Sequence, residues 1–232
     1  MALTQPYYFG GCAGSGSYGG MFLYDSVTAI TITAGQQYHA VNLFGVSALV
    51  NGLTYGSGSS GAITDTADNG GVLRCTDATH GLTTGDYVCL HNMADTAHVG
   101  ITQVTVIDPN TFDCDDITYN SDSDTGNWTM GDYLEVDAGS EGLYQVAWGA
   151  SALSPDASNK TFKIELCVNT TEKDEIARER KIAIQNDIGV LGGTGLIQLV
   201  SGDRIYMIVQ NTEADTSDIS FKHANMSIFR IC

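Results

Sequence analysis

Residues 161–168 read Thr-Phe-Lys-Ile-Glu-Leu-Cys-Val, so an apolar side chain stands at every second position. This period of two predicts a β-strand with one face in a core. Residues 204–209, Arg-Ile-Tyr-Met-Ile-Val, are largely apolar on both faces, which favours a strand buried between a core and a subunit contact. The residues expected in the core or at a subunit contact are Phe162, Ile164, Leu166, Ile205, Met207, Val209, Ile228 and Phe229.

Short strands separated by turns continue along most of the chain. Residues 38–44 and 133–136 alternate in the same way, and Asp108-Pro109-Asn110 has the composition of a type I turn. Two segments lack this alternation of apolar and polar residues. The run at 51–61 is rich in glycine and serine and predicts a loop, whereas residues 172–184 carry so many charges that we expect an exposed loop or a short helix. The pattern as a whole predicts an all-β fold.

The charge of the chain is strongly acidic and unevenly placed. The 232 residues are 43% hydrophobic, which excludes general disorder, and the net charge of -17 argues against nucleic-acid or anionic-membrane partners. Residues 1–159 hold one basic residue against 17 acidic ones, whereas residues 160–232 hold nine against 10. We expect no signal peptide and no transmembrane helix, and therefore reduced thiols at the six cysteines.

Four blocks in the last third of the chain carry a family resemblance. They are residues 142–148 (Gly-Leu-Tyr-Gln-Val-Ala-Trp), 162–169, 201–209 and 224–231, with Ser201-Gly202-Asp203 as a tight turn. The blocks resemble the jelly-roll β-sandwich of the tumour necrosis factor (TNF) and C1q type. The resemblance implies a homotrimer with the C-terminal strand near the axis, so that the contact residues above would be trimer or core contacts.

Further blocks are similar to structural proteins of tailed bacteriophages. Residues 20–24 (Gly-Met-Phe-Leu-Tyr) are typical of the start of their jelly rolls. Residues 79–88 (Thr-His-Gly-Leu-Thr-Thr-Gly-Asp-Tyr-Val) and 104–112 resemble a small β module that recurs in them. The expected organisation is a glycine-rich N-terminal arm at 1–20, a split jelly-roll domain at 21–62 and 132–232, and a small inserted β domain at 63–131. The insertion holds 11 Asp and one Arg, and we expect it to face solvent.

The acidic loop at 120–126, Asn-Ser-Asp-Ser-Asp-Thr-Gly, is the candidate metal site. Asn120, Asp122 and Asp124 place oxygen ligands at alternate positions, as a calcium loop does, although the register departs from the EF-hand pattern. A solvated acidic loop is the other interpretation. The five residues Cys75, His80, Cys89, His91 and His98 offer zinc ligands, but only one pair is closely spaced, so we interpret them as turn and core residues.

Catalytic motifs and sugar-stacking aromatic residues are the other features that could indicate a function. The chain has no nucleophile elbow, zinc-protease helix or phosphate-binding loop, so we expect no enzyme and no cofactor beyond the calcium alternative. Tyr119, Trp128 and Tyr133 flank the acidic loop and could stack on sugars, or the last two could pack the junction of the two modules.

These observations predict a non-enzymatic virion protein made in the host cytoplasm. It would be a trimeric capsid decoration or head-fibre component that contacts itself and the major capsid or other virion proteins. The alternative is a tail-fibre or spike tip that recognises a host-surface glycan or protein. A particle-bound depolymerase is a weaker third hypothesis, because the parallel β-helix repeats typical of such enzymes are not visible.

Overall fold

The computed structural model describes residues 16–24, 26, 28–32, 38–42, 50–121, 123–155, 159–213 and 215–231. Within these ranges the regular structure is β-strand plus two short 3-10 helices, Thr96–His98 and Asp174–Ile176, and no helix there is long and apolar enough to cross a membrane. The described strands are β1 Tyr18–Tyr24, β2 Ala29–Ile32, β3 Tyr38–Ala40, β4 Val50–Asn51, β5 Leu53–Gly56, β6 Ser59–Ile63, β7 Asp65–Asn69, β8 Val72–Thr76, β9 Tyr87–His91, β10 Gly100–Asp108, β11 Thr111–Thr118, β12 Gly126–Met130, β13 Tyr133–Val136, β14 Gly142–Leu153, β15 Lys160–Val168, β16 Thr171–Glu172, β17 Arg178–Ile182, β18 Gly189–Leu199, β19 Arg204–Asn211 and β20 Ser217–Arg230.

Two antiparallel sheets of the described strands form a jelly-roll β-sandwich, as the sequence predicted. The front sheet has the order β18-β14-β20-β1-β4, and β2 extends it by pairing with β20. The back sheet has the order β16-β15-β19-β13-β5, with β17 paired to β15 and β3 paired to β19. The chain enters this sandwich before the insertion and returns to it afterwards, because β5 and β13 are neighbours in the back sheet.

The core of the sandwich lies between the two sheets. Seven of the eight expected contact residues are buried there, and each contributes roughly 1.5–3 kcal/mol through removal of apolar surface from water. The eighth, Phe229, is 49% exposed. Since neighbouring residues of a strand point to opposite faces, Ile228 enters the core and Phe229 must lie on the outer face of the front sheet.

The inserted strands β6 to β12 hydrogen-bond among themselves in the order β6-β12-β9-β10-β11-β8-β7 and enclose a core of their own. Their sheet begins at Ser59, inside the run at 51–61 that the sequence assigned to a loop. That prediction was wrong. The glycines there make room for neighbours: a Cβ at Gly56 would lie 2.0 Å from the Tyr133 ring, and one at Gly61 would lie 2.6 Å from the Trp128 indole nitrogen.

The second apolar face of β19 is covered from within the chain, and not by another subunit as the sequence suggested. Tyr206 and Ile208 pack with Cys167 and Ala40 of the sandwich and with Cys89 of the insertion. The reason for the two apolar faces is thus that β19 lies between the sandwich core and the inserted module.

Residues 172–184 also differ from the expected loop or short helix. They form the end of β16, a single 3-10 turn and the edge strand β17, which pairs with β15. Their charges lie on the solvent side, whereas Ile176 and Ile182 are buried in the sandwich core. Two apolar anchors among so many charges produce no clear period, which is why the pattern favoured a loop.

Candidate functional site

The outer face of the front sheet is the most distinctive surface of the described chain. The register of β1, β20, β14 and β18 aligns four rows of four residues on this surface, which we call the front face. The rows are Tyr18–Phe229–Gln145–Leu196, Gly20–Ser227–Ala147–Thr194, Phe22–Asn225–Gly149–Gly192 and Tyr24–His223–Ser151–Val190. None of these positions is Asp, Glu, Lys or Arg, although the chain carries a net charge of -17.

The front face is also unusually apolar for a solvent-facing surface. Tyr24 is 79% exposed, Val190 72% and Leu196 56%, while Tyr18, Phe22 and Phe229 are each almost half exposed. With a strand spacing of about 4.8 Å and a rise of about 3.3 Å per residue, the rows span roughly 14 by 20 Å. An apolar depression of about 450 Å³ lies at one end, between Phe22, Tyr24 and Val190. Contiguous apolar surface of this kind commonly marks an interaction site.

The expected calcium ligands do not form a cation site in the described part of the loop. Asp124 is buried, and its two carboxylate oxygens accept hydrogen bonds from the backbone N–H groups of Ala94, Asp95 and Thr125 and from His98. A carboxylate turned toward donors in this way anchors two loops to each other and leaves little for a metal. Asn120 is exposed and donates to Asp95, and Asp122 lies outside the described residues.

His91, one of the three histidines among the zinc candidates, lies in β9 with its Nε2 2.8 Å from Thr129 Oγ1, whereas the other two, His80 and His98, hold neighbouring loops. The Leu82 N–H donates to Nδ1 of His80, so the Nε2–H of His80 donates to the Asp108 carbonyl. Asn120 N–H likewise donates to Nε2 of His98, and the Nδ1–H of His98 donates to Asp124. Both ring nitrogens of His80 and of His98 are therefore occupied. The cysteines are buried, with Cys75 Sγ 3.6 Å from Cys114 Sγ, and Cys89 lies at the junction. These residues are not brought together as a metal site.

The three aromatic candidates serve packing. Trp128 is 1% exposed in the core of the insertion, and its Nε1–H donates to Asp77 over 2.7 Å. Tyr119 packs on that core beside His98. Tyr133 lies at the junction, where the Arg204 guanidinium stands 4.4 Å from its ring centroid. Trp128 is buried and Tyr119 and Tyr133 are only partly exposed, so none of the three is a freely accessible ring for a sugar.

Arg204 fixes the insertion to the sandwich. Its Nη1–H donates to Asp86 and its Nε–H donates to Glu135, each over 2.7 Å. The other oxygen of Asp86 accepts the Thr83 N–H and closes the turn of the Gly85-Asp86 motif. The motif that gave the resemblance to a phage module therefore has two structural tasks, a tight turn and an ion pair across the junction.

One acidic cluster was missed by the sequence because its members come from three elements. Glu165, Glu172 and Asp174 lie within 4.8 Å of one another, and the Lys163 ammonium lies 2.9 Å from Glu165 and 2.7 Å from Asp174. Burial raises the pKa of Glu165, although the Lys163 ammonium opposes that shift. The lysine thus already supplies the cation of this cluster.

Comparison with known proteins gives one distant structural likeness. No family model matches the chain, and no curated protein does. Among solved structures, the chain is similar to Eiger, a TNF from S. frugiperda, with 8% sequence identity, a TM-score of 0.39, and coverage of 93% of this chain and 94% of that one. The fold class, which the sheets themselves define, is a jelly-roll β-sandwich that carries an inserted β sheet.

Proposed function

We propose that this chain is a non-enzymatic structural protein of a tailed-bacteriophage virion that assembles as a homotrimer through the front face. The observation that carries the self-association is the absence of charge from sixteen aligned positions of that face in so acidic a chain. Like charges on a shared contact would oppose association, whereas exposed tyrosine, phenylalanine and leucine side chains favour it.

The virion assignment rests on the phage-like blocks at 20–24, 79–88 and 104–112. The chain would be a capsid decoration or head-fibre component, located on the virion after synthesis in the host cytoplasm. Its partners would be two further copies and the major capsid or another virion protein, without nucleic acid or membrane. Five of the 11 Asp of the insertion, Asp65, Asp68, Asp108, Asp115 and Asp116, are exposed, and their charges would keep assembled copies from non-specific association.

Light scattering coupled to size exclusion tests the trimer. The protein at micromolar concentration should elute with three times the chain mass of 24.6 kDa. Phe22→Glu and Leu196→Glu place charges on the front face and should give monomers. Ile107→Glu is the matched control, because Ile107 is 46% exposed on the insertion, close to the 47% of Phe22. A native monomer, or two front-face variants that remain trimeric, would contradict the proposal. Mass spectrometry of purified particles tests the virion assignment separately.

The second candidate function is a tail-fibre or spike tip that recognises a host-surface glycan or protein. A specific feature favours it, namely a polar cleft where the insertion meets the sandwich, lined in part by His39 and His91.

A further inference from the structure

The cleft at the junction has a volume of about 350 Å³ and is formed by β2, β3, β6, β9 and β12 together with residues next to them. It therefore lies between the two modules, a location in which small-molecule sites are common, and its size falls in the usual range of ~300–1,000 Å³. His39 from the sandwich and His91 from the insertion are in contact there, with ring centroids 3.6 Å apart.

The lining of the cleft is polar and carries no fixed charge. Its described residues include three asparagines, three threonines, one serine and two histidines, and none is Asp, Glu, Lys or Arg. Burial lowers the pKa of His39 to about 4 and that of His91 to about 3, so both rings stay neutral near pH 7. An ionic ligand would lose its hydration here without gaining a counter-charge, which disfavours anions and cations alike.

Several hydrogen-bonding groups of the cleft are held in place by one another. Asn92 Nδ2–H donates to Asn127 Oδ1 over 3.0 Å, and His91 Nε2 lies 2.8 Å from Thr129 Oγ1. His91 and Thr129 are 4% and 3% exposed, so their rotamers are fixed by packing. Side chains ordered before binding lose little entropy when a ligand arrives. Amide, hydroxyl and imidazole groups supply donors and acceptors together, which matches the hydroxyl groups of a sugar.

We propose that this cleft binds a neutral, polyhydroxylated ligand of the size of one or two hexose units. The inference rests on the second candidate function and is independent of the trimer. Trp128, Thr129 and His91 are 1%, 3% and 4% exposed, so they support the wall of the cleft and no ring stacks on the sugar. The hydrogen bonds to the sugar come from the more accessible Ser60, Asn92 and Asn127. A single site without ring stacking binds weakly, and several such sites on one particle would strengthen attachment to a cell surface.

Saturation-transfer NMR on the full chain tests the site with glucose, galactose, N-acetylglucosamine and lactose, and with glucuronic and N-acetylneuraminic acids as anionic comparators. Transfer is expected to neutral sugars and not to the anions. Asn127→Asp keeps the oxygen that accepts from Asn92 but removes the amide donor and adds a charge. Thr129→Val removes, at nearly constant shape, the hydroxyl that hydrogen-bonds His91, and so it loosens the wall of the cleft. Loss of hydrogen bonds of this kind should weaken transfer about fivefold or more.

Thr118→Val is the matched control, because Thr118 is an exposed threonine of β11 outside the cleft. Its signal should match that of the native chain. An array of immobilised neutral oligosaccharides, read with the same variants, separates two sources of ligand. Transfer from free hexoses indicates a small sugar, and signals on the array alone indicate a polymer chain. The proposal is overturned if neither saturation transfer nor the array gives a signal, if the cleft variants bind as well as the native chain, or if the anionic sugars bind as well as the neutral ones. Each of these results counts independently of the mass that light scattering gives for the oligomer.

Discussion

Acidification from pH 8 to pH 5 should destabilise the folded chain by about 4 kcal/mol through one pair of residues, His39 and His91. Desolvation by burial lowers both pKa values from the ordinary 6.5, to about 4 and about 3, and the neighbouring His39 adds to the shift at His91. A base with a depressed pKa binds its proton more readily in the unfolded chain. The stability from the neutral pair is therefore complete above pH 6.5 and is lost as pH falls toward the folded values.

The magnitude follows from the two pKa values. A pH of 5 is about 1.5 units below the pKa of an imidazole in the unfolded chain. Each unit corresponds to about 1.36 kcal/mol, which gives roughly 2 kcal/mol per histidine. The interval from pH 8 to pH 5 is suitable because the aspartates with shifted pKa values titrate below it. Hydrogen bonds lower the pKa of four of them, Asp95, Asp108, Asp174 and Asp215. Glu165 has a raised pKa and works in the opposite direction, so a reference variant is needed.

Urea unfolding followed by tryptophan fluorescence at several pH values measures the free energy of unfolding. The double variant His39→Gln/His91→Gln lacks the titration and retains Glu165 and the aspartates, so its pH dependence is the reference. The native chain should lose about 4 kcal/mol more than this variant between pH 8 and pH 5. Equal losses in the two proteins, within about 1 kcal/mol, would refute the assignment of buried neutral histidines.

The close packing at Gly56 and the burial of the cysteines each give a further prediction. Gly56→Ala should lower the free energy of unfolding by about 1–3 kcal/mol, because its Cβ would lie 2.0 Å from the Tyr133 ring. Gly16→Ala is the control in the same urea experiment, because a Cβ at Gly16 would have nothing within 4 Å. Four of the six cysteines are buried, namely Cys75, Cys89, Cys114 and Cys167. Burial raises the thiol pKa of Cys89 and Cys114, and it raises that of Cys167 to about 12. At most two cysteines should therefore react with a disulfide reagent before unfolding, and all six should react in denaturant. Rapid reaction of more than two thiols in the native chain would show that the junction or the cores open readily.

The sandwich core could be predicted because its signal is local. Phe162, Ile164 and Leu166 alternate along one strand, and the period of two is a direct consequence of strand geometry. The turn at Ser201-Gly202-Asp203 is equally local, since Gly202 has a φ of +87° and the Val200 N–H donates to Asp203. A pattern within ten residues is enough to identify such features.

The candidate surfaces could not be found in this way, because their members meet only through strand pairing. Tyr18 and Leu196 share a row of the front face although 178 positions separate them in the sequence. The lack of charge becomes visible only when four strands are in register. Asp124 shows the same limit, since alternate acidic residues left a calcium loop and a solvated loop as two interpretations, whereas folding turns its carboxylate inward toward backbone donors.

The junction links the proposed binding site to the fold. Arg204 is held by Asp86 of the insertion and Glu135 of the sandwich while its guanidinium lies over Tyr133. Removal of either carboxylate would leave a partly buried cation short of a partner, so the contact resists a change in the angle between the modules. Since His39 and His91 come from opposite sides of that junction, a fixed angle also fixes the width of the cleft. The ion pairs of Arg204 with Asp86 and Glu135 therefore keep the cleft in the preorganised shape that a weakly bound, hydrogen-bonded ligand requires.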